Sequence, residues 1–204
     1  MPPNIDYFTT YYRTLFGYDI RVIRASANIY MFNKTQKTKE PENAEKAYEY
    51  AVFLLSLKLR TVGELLKKMQ DRGYTEQVIE QVLGQLKEHR YINDERYAEI
   101  FLENLKAYRS FGFFGIKKKM MEKKLPQALI DSTLAAGLSV AEEMKIAQRL
   151  LKKEGYAGKT SAENSEEVTY RTYEENAENK AKQKMANKLK TRGFRSEVIS
   201  RLMF

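Results

Sequence analysis

One pattern recurs three times along this chain of 204 residues, and it restricts the fold more than any other feature of the sequence. With the segment from Glu64 to Ile79 as template, a shift of 51 carries Leu65, Met69, Tyr74, Val78, Ile79 and Leu83 onto Ile116, Met120, Leu125, Leu129, Ile130 and Leu134. A shift of 120 carries them onto Met185, Leu189, Phe194, Val198, Ile199 and Met203. Upstream, Tyr50-Ala51 with Leu54-Leu55 recurs as Tyr97-Ala98 with Phe101-Leu102, and again as Ile146-Ala147 with Leu150-Leu151. Any two amphipathic helices can be slid into partial register. Here the same shifts align two apolar stripes and the turn between them, which marks a true repeat.

Each unit reads as three helices. In the first, Ala47, Ala51, Leu54 and Leu55 have helical spacing over about 44–59. Thr61 then caps a second helix, with Glu64 completing a capping box, and Gly73 ends it. Thr75 caps a third helix that runs to His89, whose place at a helix C-terminus suits a cation. The second unit opens on Asn93 as cap, with Asp94 and Glu95 in the favourable first turn, and its third helix begins near Pro126. Ser139 and Glu142 form the capping box that opens the third unit.

A unit of about 50 residues buries too little apolar surface to stand alone, so neighbouring units must share their faces. The expected fold is all-α: three tandem three-helix repeats, 41–91, 92–138 and 139–204, forming an elongated, curved body. Leu65, Met69, Val78 and Leu83 are expected core. Residues 1–40 form an N-terminal extension in which Ile20, Val22 and the stretch from Ile29 to Phe32 suit short strands, while Tyr7 to Phe16 suits a helix equally. An acidic insertion at 157–178, carrying six Glu, interrupts the third unit as a long loop or as an extension of its helices.

Charge follows the repeat. Lys68, Lys119 and Lys188 are equivalent positions, as are Arg72, Lys123 and Arg192 four residues later, hence on the same face. Lys117, Lys118, Lys124 and Lys184 extend this ladder; 180–192 holds six basic residues and no acid. A solvated face usually mixes signs. This one suits a polyanionic surface, either nucleic-acid phosphate or acidic protein. Tyr108, Phe111, Phe113 and Phe114 around Gly112 and Gly115 fit packing between helices better than stacking on bases.

The inventory removes most enzymes. The chain has no Cys, one His and a formal net charge of +9. Thiol catalysis, Cys-ligated zinc and a His-cluster metal site therefore fall away, and no cofactor or metal is expected. The segment from Phe111 to Gly115 lacks the Lys-Ser/Thr of a phosphate-binding loop. No apolar run reaches the roughly 20 residues of a membrane span. Met1-Pro2-Pro3-Asn4 lacks the basic-then-apolar order of a secretory leader, so a cytoplasmic location and no membrane partner are expected.

The segments from Ala51 to Met69, from Tyr91 to Phe101 (Tyr-Ile-Asn-Asp-Glu-Arg-Tyr-Ala at its start) and from Gly112 to Leu125 resemble the RecX regulatory proteins, over about residues 44–204. That resemblance implies tandem three-helix repeats, a non-enzymatic monomer, and binding to the RecA filament on single- or double-stranded DNA. It further implies restraint of strand exchange, ATP hydrolysis and coprotease function. Residues 1–40 match nothing in the pattern, and the 157–178 insertion is longer than usual. A general DNA-binding repeat protein with no recombinase partner is the alternative reading.

Overall fold

The computed structural model describes residues 37–156 and 168–203, with side chains in the helix after Val168 described from Glu178 onward. The strands and the helix expected before residue 37 lie outside the described residues, as do residues 157–167 of the acidic insertion.

Among the described residues the structure is nine α-helices and no strand. They are α1 (Ala44–Leu57), α2 (Val62–Arg72), α3 (Glu76–Glu88), α4 (Asp94–Tyr108), α5 (Phe113–Glu122), α6 (Gln127–Gly137), α7 (Val140–Lys153), α8 (Val168–Thr191) and α9 (Ser196–Met203). The second half of the acidic insertion is thus helical, the N-terminal part of α8. Two compact units divide the described residues: 37–97 with 123–125, and 98–122 with 126–156 and 168–203.

In the first unit α1 packs on α3, and α2 packs on both. Ala47, Tyr50, Ala51 and Leu54 of α1 meet Leu65 and Met69 of α2 and Val78, Ile79, Val82 and Leu86 of α3 in one buried cluster. In the second unit α5 pairs with α6, and α9 packs on both α7 and α8. Of the eighteen positions matched by the shifts of 51 and 120, all are buried except Leu129 and Ile199, which are half-buried. The repeat in the sequence is therefore a repeat of the core.

Local chemistry sets the helix ends. Asn43 and Asn93 accept backbone N–H bonds from Lys46 and Arg96 at 2.9 and 2.7 Å. Ser139 and Glu142 form the full capping box. At α2 only half of the expected box forms. Thr61 Oγ1 accepts from Glu64 N at 3.1 Å, but the Glu64 carboxylate turns instead to Lys123 Nζ at 3.3 Å. Thr75 occupies the cap position of α3 without a side-chain bond, and Pro126 is the N-cap of α6 rather than its first residue.

The turn after the second helix requires a left-handed residue in every repeat. Gly73, Lys124 and Gly193 hold it at φ of 94°, 56° and 77°. Lys124 alone carries a Cβ there, a conformation that costs an L-residue about 1 kcal/mol relative to glycine. Lys124→Gly is accordingly expected to raise stability by about 0.5–1 kcal/mol, the flexibility gained by the unfolded chain offsetting part of the relief. A urea midpoint at or below that of the parent protein counters this expectation.

Candidate binding surface

Two joints between helices position the basic side chains. In the first unit Thr61 Oγ1 donates to the Lys123 carbonyl at 2.6 Å, and Val62 N donates to Asp94 Oδ1 at 2.9 Å. Asp94 does more than favour the dipole of its own helix: it caps a neighbour. Burial pushes its carboxyl above the ordinary range, against the Val62 bond. Burial also raises the Tyr97 hydroxyl, helped by the negative charges of Glu64 and Asp94.

The second unit places an equivalent joint at matching positions, with a backbone N–H where the first has the Thr61 hydroxyl. Gly112 N donates to the Arg192 carbonyl at 3.1 Å, and Phe114 N to the Gly193 carbonyl at 2.8 Å. Phe113 N donates to Glu143 Oε1 at 2.9 Å. The orphan N–H groups that open α5 thus meet the orphan carbonyls that close α8, so each helix end satisfies the other. Glu143 is 0% exposed. It also accepts from Arg195 N at 2.9 Å and pairs with the Arg195 guanidinium. That guanidinium reaches the Leu138 carbonyl at 3.1 Å and lies over the Phe113 ring at 4.9 Å. The sequence carried a signal for this role: the offset of 49 that takes Tyr97-Ala98 onto Ile146-Ala147 also takes Asp94 onto Glu143.

A second polar knot gathers at Lys106. Its ammonium meets Glu103 at 2.9 Å, Glu142 at 2.8 Å and the Gly137 carbonyl at 2.8 Å. The Glu142 carboxyl falls to about 2, mainly through Lys106 and then the Ser139 N–H. Its stabilising contribution is complete above the unfolded-state value of about 4.3 and disappears as pH falls toward 2. Because this carboxylate is partly exposed, the effect is modest. Glu142→Gln is expected to lower the melting temperature at pH 6 and to narrow the gap from the parent protein by pH 2.5.

The basic ladder divides into three sets. Lys68, Lys118, Lys124 and Lys184 are exposed. Opposite them, Leu65 and Met69, Ile116 and Met120, and Met185 and Leu189 are buried, so these second helices are amphipathic in the expected sense. Lys117, Lys119 and Lys123 pair with Asp131 at 2.7 Å, Glu122 at 2.8 Å and Glu64 at 3.3 Å; Lys188 pairs with Glu154. The lysine partners hold Asp131 and Glu154 below the ordinary carboxylate range. Arg72 and Arg192 are half-buried and lie over the rings of Tyr50 and Phe111, at 5.3 and 5.4 Å. Lys119 also approaches Phe111, at 6.0 Å, so the structure brings Lys119 and Arg192 to one ring. Phe111 and Phe113 are half-buried packing residues; Tyr108 and Phe114 project outward at 83% and 57% exposure.

Among the described residues no group of three or more acidic or histidine side chains is placed to hold a metal. No described helix is long and apolar enough to cross a membrane. His89 is the C-cap of α3, its ring beside Tyr91 and its Nδ1 3.2 Å from the Tyr48 hydroxyl.

The fold and surface define an all-α protein of tandem three-helix repeats, jointed by reciprocal helix capping and presenting lysines opposite each apolar stripe. The family description "RecX, first three-helix domain" matches residues 47–86. A regulatory protein RecX from Mycobacterium sp. (strain JLS) is 29% identical over 155 residues, 76% of this chain and 78% of that protein. The RecX of Geobacillus kaustophilus (strain HTA426) is 28% identical over 112 residues, 55% of this chain but only 41% of the relative's length. A crystal structure of regulatory protein RecX superposes with a TM-score of 0.62 at 23% identity, covering 78% of this chain and 72% of that one. The chain is thus similar to RecX regulatory proteins in its first repeat, in sequence over about three quarters of its length, and in fold.

Proposed function

We propose that this protein is a cytoplasmic regulator that binds the RecA filament on DNA and restrains its strand exchange, ATP hydrolysis and coprotease activity. The observation that carries this reading is the presence of exposed lysines at the second helix of each repeat, in a chain whose first repeat matches the first three-helix domain of RecX. Lys68, Lys118, Lys124 and Lys184 supply the long-range attraction to acidic protein surface or DNA phosphate. Lys117, Lys119, Lys123 and Lys188, with Arg72 and Arg192, keep the helices in place through pairs and ring contacts, and join the interface at its edge. Bound across neighbouring protomers as a monomer, the protein blocks entry of a second DNA strand and opposes the subunit movement tied to ATP hydrolysis. The role is one of binding, with no catalytic step and no cofactor.

The test adds the protein to RecA on single-stranded DNA and follows ATP hydrolysis. Dose-dependent inhibition is expected. Combining Lys68→Glu, Lys118→Glu and Lys184→Glu is expected to raise the half-inhibitory concentration by about tenfold or more, since reversed interface charges slow association and add repulsion. These three are chosen because reversing the paired lysines also disturbs the protein's own contacts. Salt-sensitive binding to naked DNA with no effect on RecA overturns the proposal in favour of general DNA binding.

A further inference from the structure

Helix α5 carries an apolar face that the core does not use. Ile116 and Met120 point inward and are fully buried. Phe114, Lys118 and Met121 stand at i, i+4 and i+7, which a helical period of 3.6 residues places on one outward stripe. Phe114 is 57% exposed and Met121 54%, and Lys118 between them is exposed as well. Only five large hydrophobic side chains are strongly exposed among the described residues, and two of them share this ten-residue helix. Phe114 is not held outward for want of an alternative: its neighbour Phe113 turns inward to the Arg195 guanidinium. Its backbone N–H is bonded to the Gly193 carbonyl, and its ring meets the Phe113 ring edge-on at 5.3 Å between centroids.

We propose that the stripe of Phe114, Lys118 and Met121 is the anchor point for an acidic protein surface, one that offers a carboxylate flanked by apolar side chains. This rests on the reading of the protein as a RecA-filament regulator and assigns the docking contact to filament protein rather than to DNA. Charge supports the choice of occupant. Lys117 and Lys119 spend their ammoniums on Asp131 and Glu122, leaving Lys118 as the cation set between the two apolar groups. Phosphate recognition favours several cations along a track, with a stacking ring for each base. Here one aromatic ring and one methionine bracket one lysine. Exposed Met and Phe beside a cation suit a protein interface, where aromatic residues and Met are enriched over the rest of the surface. Phe114 and Met121 lie about 10 Å apart along the helix axis, a span that one turn of partner helix or a short loop can bridge.

The experiment compares the parent protein with the double variant Phe114→Ser, Met121→Ser, measuring binding to RecA assembled on single-stranded DNA and to the same oligonucleotide without RecA. Both side chains are exposed, and circular dichroism checks that helicity is kept. The double variant is expected to lose about tenfold or more in filament affinity while its affinity for naked oligonucleotide changes less than about twofold. Lys118→Glu should also weaken the filament complex. An unchanged filament affinity in the double variant overturns this inference while leaving the regulatory reading intact. Equal losses on filament and naked DNA overturn it in favour of base stacking by Phe114. A parent protein that does not bind the filament at all removes the regulatory reading, and this assignment with it.

Discussion

Replacing Glu143 with alanine is expected to lower the unfolding free energy of the second unit by about 3–5 kcal/mol. Three bonds converge on this buried carboxylate: the N–H of Phe113, the N–H of Arg195 and the Arg195 guanidinium. Removing it leaves two backbone donors without acceptors and a cation without its counter-charge, each a cost that solvent does not repay in the interior. The loss also spreads, because α5, α7 and the start of α9 all depend on the same oxygen atoms. Glu143→Gln keeps at Oε1 the acceptor for both N–H groups but sets an amide NH2 where Oε2 met the Arg195 guanidinium and gives up the charge, so it should fall between the parent protein and the alanine variant. Urea unfolding followed by circular dichroism measures this, and a Glu143→Ala loss below about 1 kcal/mol rules out the joint as a stabilising element.

The second large effect separates conformation from space. Gly73 and Gly193 occupy equivalent left-handed turns, so an alanine at either meets the same conformational cost of about 1 kcal/mol. Around Gly73 nothing else opposes a Cβ, the closest atom being in the Lys37 side chain at 3.9 Å. At Gly193 an added Cβ meets Gly115 N at 2.2 Å and Gly115 Cα at 2.8 Å, both backbone. That atom would force α5 away from α8 and break the bonds from Gly112, Phe114 and Gly115 to the Arg192 and Gly193 carbonyls. Gly193→Ala is therefore expected to cost about 3 kcal/mol or more, against about 1 kcal/mol for Gly73→Ala. Equal costs for the two variants would show that the close approach of α5 to α8 is not maintained in solution.

Both effects bear on function through the same contact. The joint between α5 and α8 fixes Phe114 and Lys118 outward on α5 and holds Arg192 against Phe111. Variants that loosen it should weaken partner binding without altering any residue of the outward face. For that reason stability and affinity need to be measured together before a lost activity is assigned to a binding side chain.

The stripe Leu65–Met69–Tyr74–Val78 and its two copies were legible in the sequence because a helix writes its buried face into local periodicity. The Ser139–Glu142 box and the Gly73 stop were legible for a related reason: donor and acceptor lie within four residues of one another. The Thr61–Glu64 box was misjudged because a distant cation, Lys123, competes for the Glu64 carboxylate. The same limit applied to the basic ladder. Its spacing was evident, but its division into exposed lysines, paired lysines and ring-stacked arginines depends on Asp131, Glu154, Tyr50 and Phe111, which are remote in the chain.

By itself, then, the sequence determined three helical repeats, their apolar faces and the placement of positive charge opposite those faces. Each of these depends on residues one or two helical turns apart. Tertiary structure alone decided that Asp94 and Glu143 cap helices other than their own, and that Gly112, Gly115 and Gly193 let two helix ends meet. It also decided that Phe114 and Met121 face outward. Those outcomes join groups separated by 30 to 80 residues, and a helix N–H or carbonyl left open at a terminus is satisfied by whatever the completed fold brings within about 3 Å.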